Sequence, residues 1–286
     1  MIIAKDYPML MAQYLSRGLY RCQTIIKGNF IRYEQNRSLC MNREASDNQR
    51  LERIIKIPID EKKKQSNVHL SNSLEGNLVI PNGAEGIIVF AHGSGSSRLS
   101  PRNQYVARVL NDAGLATLLT DLLTGEEEEI DAKTRQHRFN IELLSKRLVA
   151  VTNWIIQNPE TQKLYVGYFG ASTGAAAALV AASSSECRNI ISAIVSRGGR
   201  PDLSGSEALK NVQAPTLFIV GEKDVEVIDM NNNAMNQLQK VERKKLKIIP
   251  GATHLFEEQG ALEEVARLAR GWFQCYFLIK KHSQQQ

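Results

Sequence analysis

Paired cysteines are missing from this chain. Its four, Cys22, Cys40, Cys187 and Cys275, lie far apart with no C-x-x-C. Neither a metal site nor a disulfide framework is indicated, and reduced thiols in a cytoplasmic protein are the simpler expectation. Long hydrophobic runs are missing too. No stretch reaches the roughly 18 apolar residues of a membrane span, and the opening lacks a basic segment followed by an uninterrupted apolar core, so no export signal is expected. The net charge of +6 is concentrated in the first 43 residues, where seven basic side chains face Asp6 and Glu34. The body is nearly neutral, without the basic footprint of a nucleic-acid binder. No G-x-G-x-x-G and no Gly-Lys-Ser/Thr ending is found, so no nucleotide cofactor is expected. There are no internal repeats.

What is present is an alternation of short apolar runs with helical periodicity. Arg53 to Ile59 and Asn77 to Ile80 read as an antiparallel opening separated by a lysine-rich turn. Gly86 to Ala91 (GIIVFA) is nearly all apolar, as for a strand covered on both faces. Ser100 and Pro101 start a helix that Gly114 ends. Ala116 to Leu122 is the next strand, Glu126 to Glu129 a solvated loop, and Arg138 to Ile156 a crossover helix. Strands follow at Leu164 to Tyr168, Ile190 to Val195, Thr216 to Val220 and Leu246 to Ile249, with a helix between the last two at Met235 to Val241. An amphipathic helix from Ala261 to Ile279 closes the chain. The pattern predicts an α/β fold, a mainly parallel sheet with helices on both faces, over residues 53–281. Residues 1–45 have no clean period and form a leader with three competing readings: a targeting arm, an added helix, or sequence upstream of a true start at Met41.

The chemistry gathers at strand ends. Gly170-Ala171-Ser172-Thr173-Gly174 fits the G-x-S-x-G nucleophile elbow, with a strand before it and an alanine-rich helix after. A serine hydroxyl is a poor nucleophile at neutral pH and needs a base that is itself oriented. Asp224, after the strand at Thr216, and His254, after the strand at Leu246, supply these in the order serine, acid, histidine. Asp229 is the reserve acid and Asp202 the third choice. His137 reads as solvated and His92 as a shaper of its glycine loop. Two backbone N–H groups are expected to hold an oxyanion, from Thr173 and from the loop His92-Gly93-Ser94-Gly95, with Ser94 the chosen donor. Arg98, Arg197 and Arg200 flank these loops and suit an anionic group on the substrate.

With HGSGSS, GASTG, GEKD and GATH in place, the sequence from about Arg53 onward resembles the α/β-hydrolase superfamily, and within it the dienelactone-hydrolase-like branch. The resemblance implies Ser172, Asp224 and His254 as a triad, with Ser94 and Thr173 as oxyanion hole. Dienelactone hydrolases proper carry cysteine at the elbow; serine here turns the expectation from lactones toward esters or thioesters. Residues 196–215, about twenty, are too few for a large cap domain. The expected activity is hydrolysis of a small acyl compound, with an anionic group as the arginines suit, through an acyl-enzyme without metal or organic cofactor. Two alternatives stand beside it: a non-catalytic binding or scaffold protein with the same fold, and an acyltransferase. Oligomeric state is not legible.

Overall fold

The computed structural model describes residues 25–26, 29–30, 52–59 and 73–284. The chain divides into two units, Met1–Asn48 and Gln49–Gln286. In the first, strands β1 (Ile25–Ile26) and β2 (Asn29–Phe30) pair antiparallel. The remainder of the expected leader, Met41 and the lysine-rich turn lie outside the described residues.

The second unit is built on one eight-stranded sheet. Its strands are β3 (Arg53–Pro58), β4 (Ser73–Val79), β5 (Gly86–Ala91), β6 (Ala116–Thr120), β7 (Tyr165–Ala171), β8 (Ile191–Arg197), β9 (Thr216–Gly221) and β10 (Lys244–Ile249), in the order β10-β9-β8-β7-β5-β6-β4-β3. β5 to β10 pair parallel, while β3 and β4 join antiparallel at one edge. Central strands β5, β6, β8 and β9 are buried along their whole length, since helices cover both faces. On one face, α3 (Ile141–Gln157) and α4 (Thr173–Ser183) pack through Leu148, Val151 and Leu179. On the other, α1 (Pro101–Asp112) and α7 (Ala261–Gln284) pack through Val106, Leu110, Val265 and Phe273. Parallel strands put all their carboxyl ends on one edge, where loops that carry chemistry converge.

Two elements differ from the sequence expectation. The acidic run Glu126 to Glu129 is not loop but the first turns of α2 (Gly125–Thr134), because Thr124 and Glu127 form a reciprocal capping box and the carboxylates suit a helix N-terminus. The helix before β10 is α6 (Val225–Gln237), starting ten residues before the expected Met235 and stopping short of Val241. Its polar stretch hid it: Asn231 is buried and donates to the carbonyls of Gly199 and Val227, a tertiary use of a residue that reads locally as loop. Between β8 and β9 stand a short 3-10 turn, Pro201–Ser204, and α5 (Ser206–Asn211), with no cap domain.

Candidate active site

β7 lies mid-sheet between β5 and β8, and its end delivers Ser172 to the middle of the carboxyl edge. Ser172 has φ 49° and ψ −120°, a conformation costly for a residue with a Cβ. It stands at the N-cap of α4, yet its hydroxyl makes no capping bond. A serine kept there for helix stability would cap; this one is strained and half-exposed instead. The backbone around it is fixed: its N–H donates to Arg197 O (3.2 Å), and its carbonyl accepts from Ala175 and Arg200 N–H (both 3.1 Å). The flanking glycines are set by close approach. A Cβ on Gly170 would fall 2.4 Å from Ala175 Cα, and one on Gly174 2.2 Å from Ala91 O.

The acid and the imidazole come from adjacent strands, β9 and β10. Asp224 Oδ2 meets His254 Nδ1 at 2.6 Å, the one hydrogen bond of that ring among the described residues, which leaves Nε2 for a partner beyond the acid. Asp224 sits at the N-cap of α6, and its carboxylate too makes no capping bond. The two loops are stitched together by Lys223 N–H to Ala252 O (2.9 Å), Glu222 N–H to Ile249 O (3.0 Å) and Gly251 N–H to Glu222 Oε2 (2.7 Å). His254 also lies against Gly198, whose Cβ position is 3.4 Å from the ring's Nδ1 and Cε1. Gly198 falls between Arg197 and Arg200, which bracket the Ser172 backbone, so one loop touches both nucleophile and base. The reserve acids are elsewhere: Asp229 is exposed on α6, and Asp202 is paired with Arg200 at 2.7 Å.

The loop after β5 runs beside the elbow, with the Gly93 Cβ position 3.2 Å from Ser172 Cβ. Ser94 on it is exposed, while Thr173 is buried and opens α4, so its N–H has no carbonyl four residues back within the helix. His92 holds the loop. Its Nε2 accepts from Leu122 N–H (3.1 Å), so the ring proton is on Nδ1, facing Gly93 O at 3.0 Å. Burial pushes its pKa below the usual 6.5, although the Gly93 carbonyl and nearby Asp121 and Glu128 pull the other way. His137 donates its N–H to Asp131 and keeps its ring beside Gln136.

The three arginines separate. Arg98 is committed to its own fold: Nη1 binds Asp121 (2.5 Å), Nη2 Glu75 (2.6 Å) and Nε Asn77 (3.1 Å). Arg200 holds Asp202 in a bidentate pair. Arg197 is 8% exposed, and its Nη1 is buried without a hydrogen-bond partner. Burial, reinforced by Arg102, lowers its pKa to about 10. A residue the motifs did not single out also reaches the loop: Arg138 Nη1 comes within 3.2 Å of the Gly95 Cβ position. Asp131 anchors it through Nε at 2.7 Å; burial pushes that carboxyl's pKa up, but the N–H groups of Arg138 and His137 and the guanidinium outweigh it and hold it below the ordinary range. No local pattern marks Arg138, because α2, the element that brings it there, is itself hidden in an acidic run.

A strained serine elbow mid-sheet, with an acid–histidine pair on later strands, places the molecule in the α/β-hydrolase class. Comparison with known proteins narrows this. A sequence profile of the Dienelactone hydrolase family matches residues 74–283, and the chain belongs to that family. The crystal structure of a dienelactone hydrolase from Anabaena variabilis is similar with a TM-score of 0.72 and 58% identity, over 80% of this chain and 99% of that one. Est1E of Butyrivibrio proteoclasticus (TM-score 0.60, 16% identity, 77% and 97% covered) and an esterase of Pyrococcus furiosus (0.61, 16%, 82% and 96%) share the fold. Two sequences from Mycobacterium tuberculosis strains, provisionally named phosphoribosyl transferase, are 56% identical over 198 residues. That match covers 69% of this chain and 43% of theirs, so the chain spans less than half the length of those relatives. Among the described residues no helix is long and apolar enough to cross a membrane.

Proposed function

We propose that the chain is a serine hydrolase acting on a carboxylic ester or thioester of a small acyl compound. Ser172 Oγ attacks the acyl carbonyl while His254 Nε2 takes its proton. The tetrahedral oxyanion is held by the N–H groups of Ser94 and Thr173. The imidazolium then protonates the leaving group, and water, deprotonated by the same nitrogen, releases the acid and restores the serine. Asp224 holds the ring by Nδ1 and stabilises its charge. No metal or organic cofactor enters these steps. The observation that carries the reading is the left-handed backbone at Ser172, whose hydroxyl caps nothing: strain of this kind, on the order of 1–3 kcal/mol, persists where the surroundings enforce it. Serine rather than cysteine at the elbow favours esters over the family's lactones. Phosphoribosyl transfer, named for the mycobacterial relatives, belongs on our reading to the part of those proteins that this chain does not match.

Ser172→Ala tests the proposal. Hydrolysis of p-nitrophenyl acetate is expected to fall to the uncatalysed level with an unchanged melting temperature, and a fluorophosphonate should label the wild-type serine alone. Turnover surviving the substitution removes Ser172 from the mechanism; a wild-type protein that neither turns over nor labels is a scaffold. A finer reading is favoured by Arg197: a buried guanidinium whose Nη1 has no partner, on the residue whose carbonyl holds the Ser172 N–H, suits an anionic group on the substrate.

A further inference from the structure

The apolar side chains left in solvent are not scattered evenly. Among the described residues eleven large hydrophobics are exposed, and six of them, Leu99, Ile130, Phe139, Leu203, Val225 and Leu255, lie on the connections that leave the carboxyl ends of the parallel strands. Sheet order arranges them on both sides of the elbow: Leu255 follows β10, Val225 β9 and Leu203 β8, then comes Ser172 after β7, then Leu99 after β5, with Ile130 and Phe139 after β6. They are also close in sequence to the candidate machinery. Val225 follows Asp224, Leu255 follows His254, and Phe139 follows the Arg138 that touches the glycine loop. Val225 at 64%, Phe139 at 57% and Leu99 at 55% exposed represent a cost in water that a polar side chain would avoid.

The interior at the oxyanion loop offers no alternative place for an apolar ligand. The cavity bounded by His92, Gly93, Ser94 and Arg138 holds about 10 Å³. That is about one water-sized sphere, too little for even a short alkyl chain. With no cap domain over the edge, a chain attached at Ser172 meets the side chains of the rim. We propose that this rim is the recognition surface for an apolar portion of the substrate, so that the preferred substrates are esters with an extended alkyl or aryl chain. The inference rests on the serine-hydrolase reading and adds the substrate class. An open rim covers one side of a chain, so about half the full burial effect applies, roughly a twofold gain per methylene.

The test is the ratio of kcat/KM for p-nitrophenyl octanoate to that for the acetate, in wild type and in two double variants, Leu99→Ser with Phe139→Ser and Leu203→Ser with Leu255→Ser. Six added methylenes are expected to raise the wild-type ratio to roughly 60. At least one double variant should lower it about tenfold, which also identifies the side that takes the acyl chain. Octyl p-nitrophenyl ether, which cannot be hydrolysed, should bind Ser172→Ala as well as wild type and the affected double variant several-fold more weakly. That arm needs no catalytic serine, so it separates failure of the rim from failure of the nucleophile. A flat or inverted chain-length profile overturns the proposal, as does an equal loss on both esters. Variants that lose self-association or binding to phosphatidylcholine vesicles at an unchanged ratio overturn it in favour of a macromolecular partner.

Discussion

Gly174→Ala is the smallest change that should separate fold from catalysis. A Cβ there lies 2.2 Å from Ala91 O and 2.4 Å from His92 O, whereas ordinary contacts begin near 3.4 Å. Both obstacles are backbone, so no rotamer relieves the overlap, and α4 and the end of β5 must part by about 1 Å. That gap opens between Thr173 and the loop carrying Ser94, the two groups assigned to the oxyanion. A displacement of this size is expected to cost on the order of 100-fold in kcat. Overpacking should cost about 1–3 kcal/mol, several degrees in melting temperature for a domain of this size. Gly271→Ala is the control. It lies inside α7, a Cβ there meets nothing within 4 Å, and relief of glycine's low helix propensity should add up to about 1 kcal/mol without touching kcat. Thermal melts and p-nitrophenyl acetate kinetics on both variants decide it. A folded Gly174→Ala protein with kcat within threefold of wild type would refute the argument that this approach sets the oxyanion geometry.

Asp224→Asn keeps the shape of the 2.6 Å contact but loses the charge and presents an amide that favours the wrong ring tautomer; kcat should drop by roughly 10³ to 10⁴ with little change in KM. Arg98→Met and Arg197→Gln should diverge. The first strands Asp121 and Glu75 and should cost about 3 kcal/mol in a denaturant melt with KM unaltered, whereas the second removes a poorly satisfied buried charge, leaves stability level or raised, and should lift KM for an acidic ester about tenfold over that for a neutral one. An equal KM effect on both esters would remove the anion from the account. His92 is neutral in the fold with its pKa held below 6.5 by burial, while the unfolded chain takes up a proton near 6.5, so the unfolded state binds more protons and stability drops as pH falls through that value toward the folded pKa. Melting temperature recorded from pH 8 to 5 should therefore decline below about 6.5, and His92→Gln should flatten the decline.

The fold was legible because most of its central parallel strands are runs of largely apolar residues and its long helices carry an apolar stripe, so the two kinds of element alternate in the sequence itself. Ser100 and Pro101 marked α1, and Ser100 Oγ does receive the Asn103 N–H. Where local and tertiary causes diverge, the sequence misled. Glu126 to Glu129 look like a solvated loop until Thr124 is seen to cap them, and the capping box is legible as T-x-x-E from Thr124, two positions before the run. Asn231 inside α6 offered no such signal, because what it bonds, the Gly199 carbonyl, is 32 residues away.

The site divides along the same line. Glycines at 170 and 174 betrayed the elbow because they are demanded by neighbours only a few residues off, or by the strand beside them, and the order serine, acid, histidine followed from strand ends sharing an edge. The arginines could not be sorted that way. Arg98, Arg197 and Arg200 all lie at or beyond the carboxyl ends of strands, yet the first is consumed by Asp121, Glu75 and Asn77 and the last by Asp202, while Arg197, the final residue of β8, has a buried nitrogen without a bond. What distinguishes them is which carboxylates the fold returns to each, and Glu75 lies on β4, an antiparallel strand held between β6 and β3, far from any motif. Charge at a strand end thus identifies candidates for recognition, and the surplus left after internal pairing decides among them; on that measure Arg197, beside the nucleophile's own backbone, is the one cation of the three with binding capacity to spare.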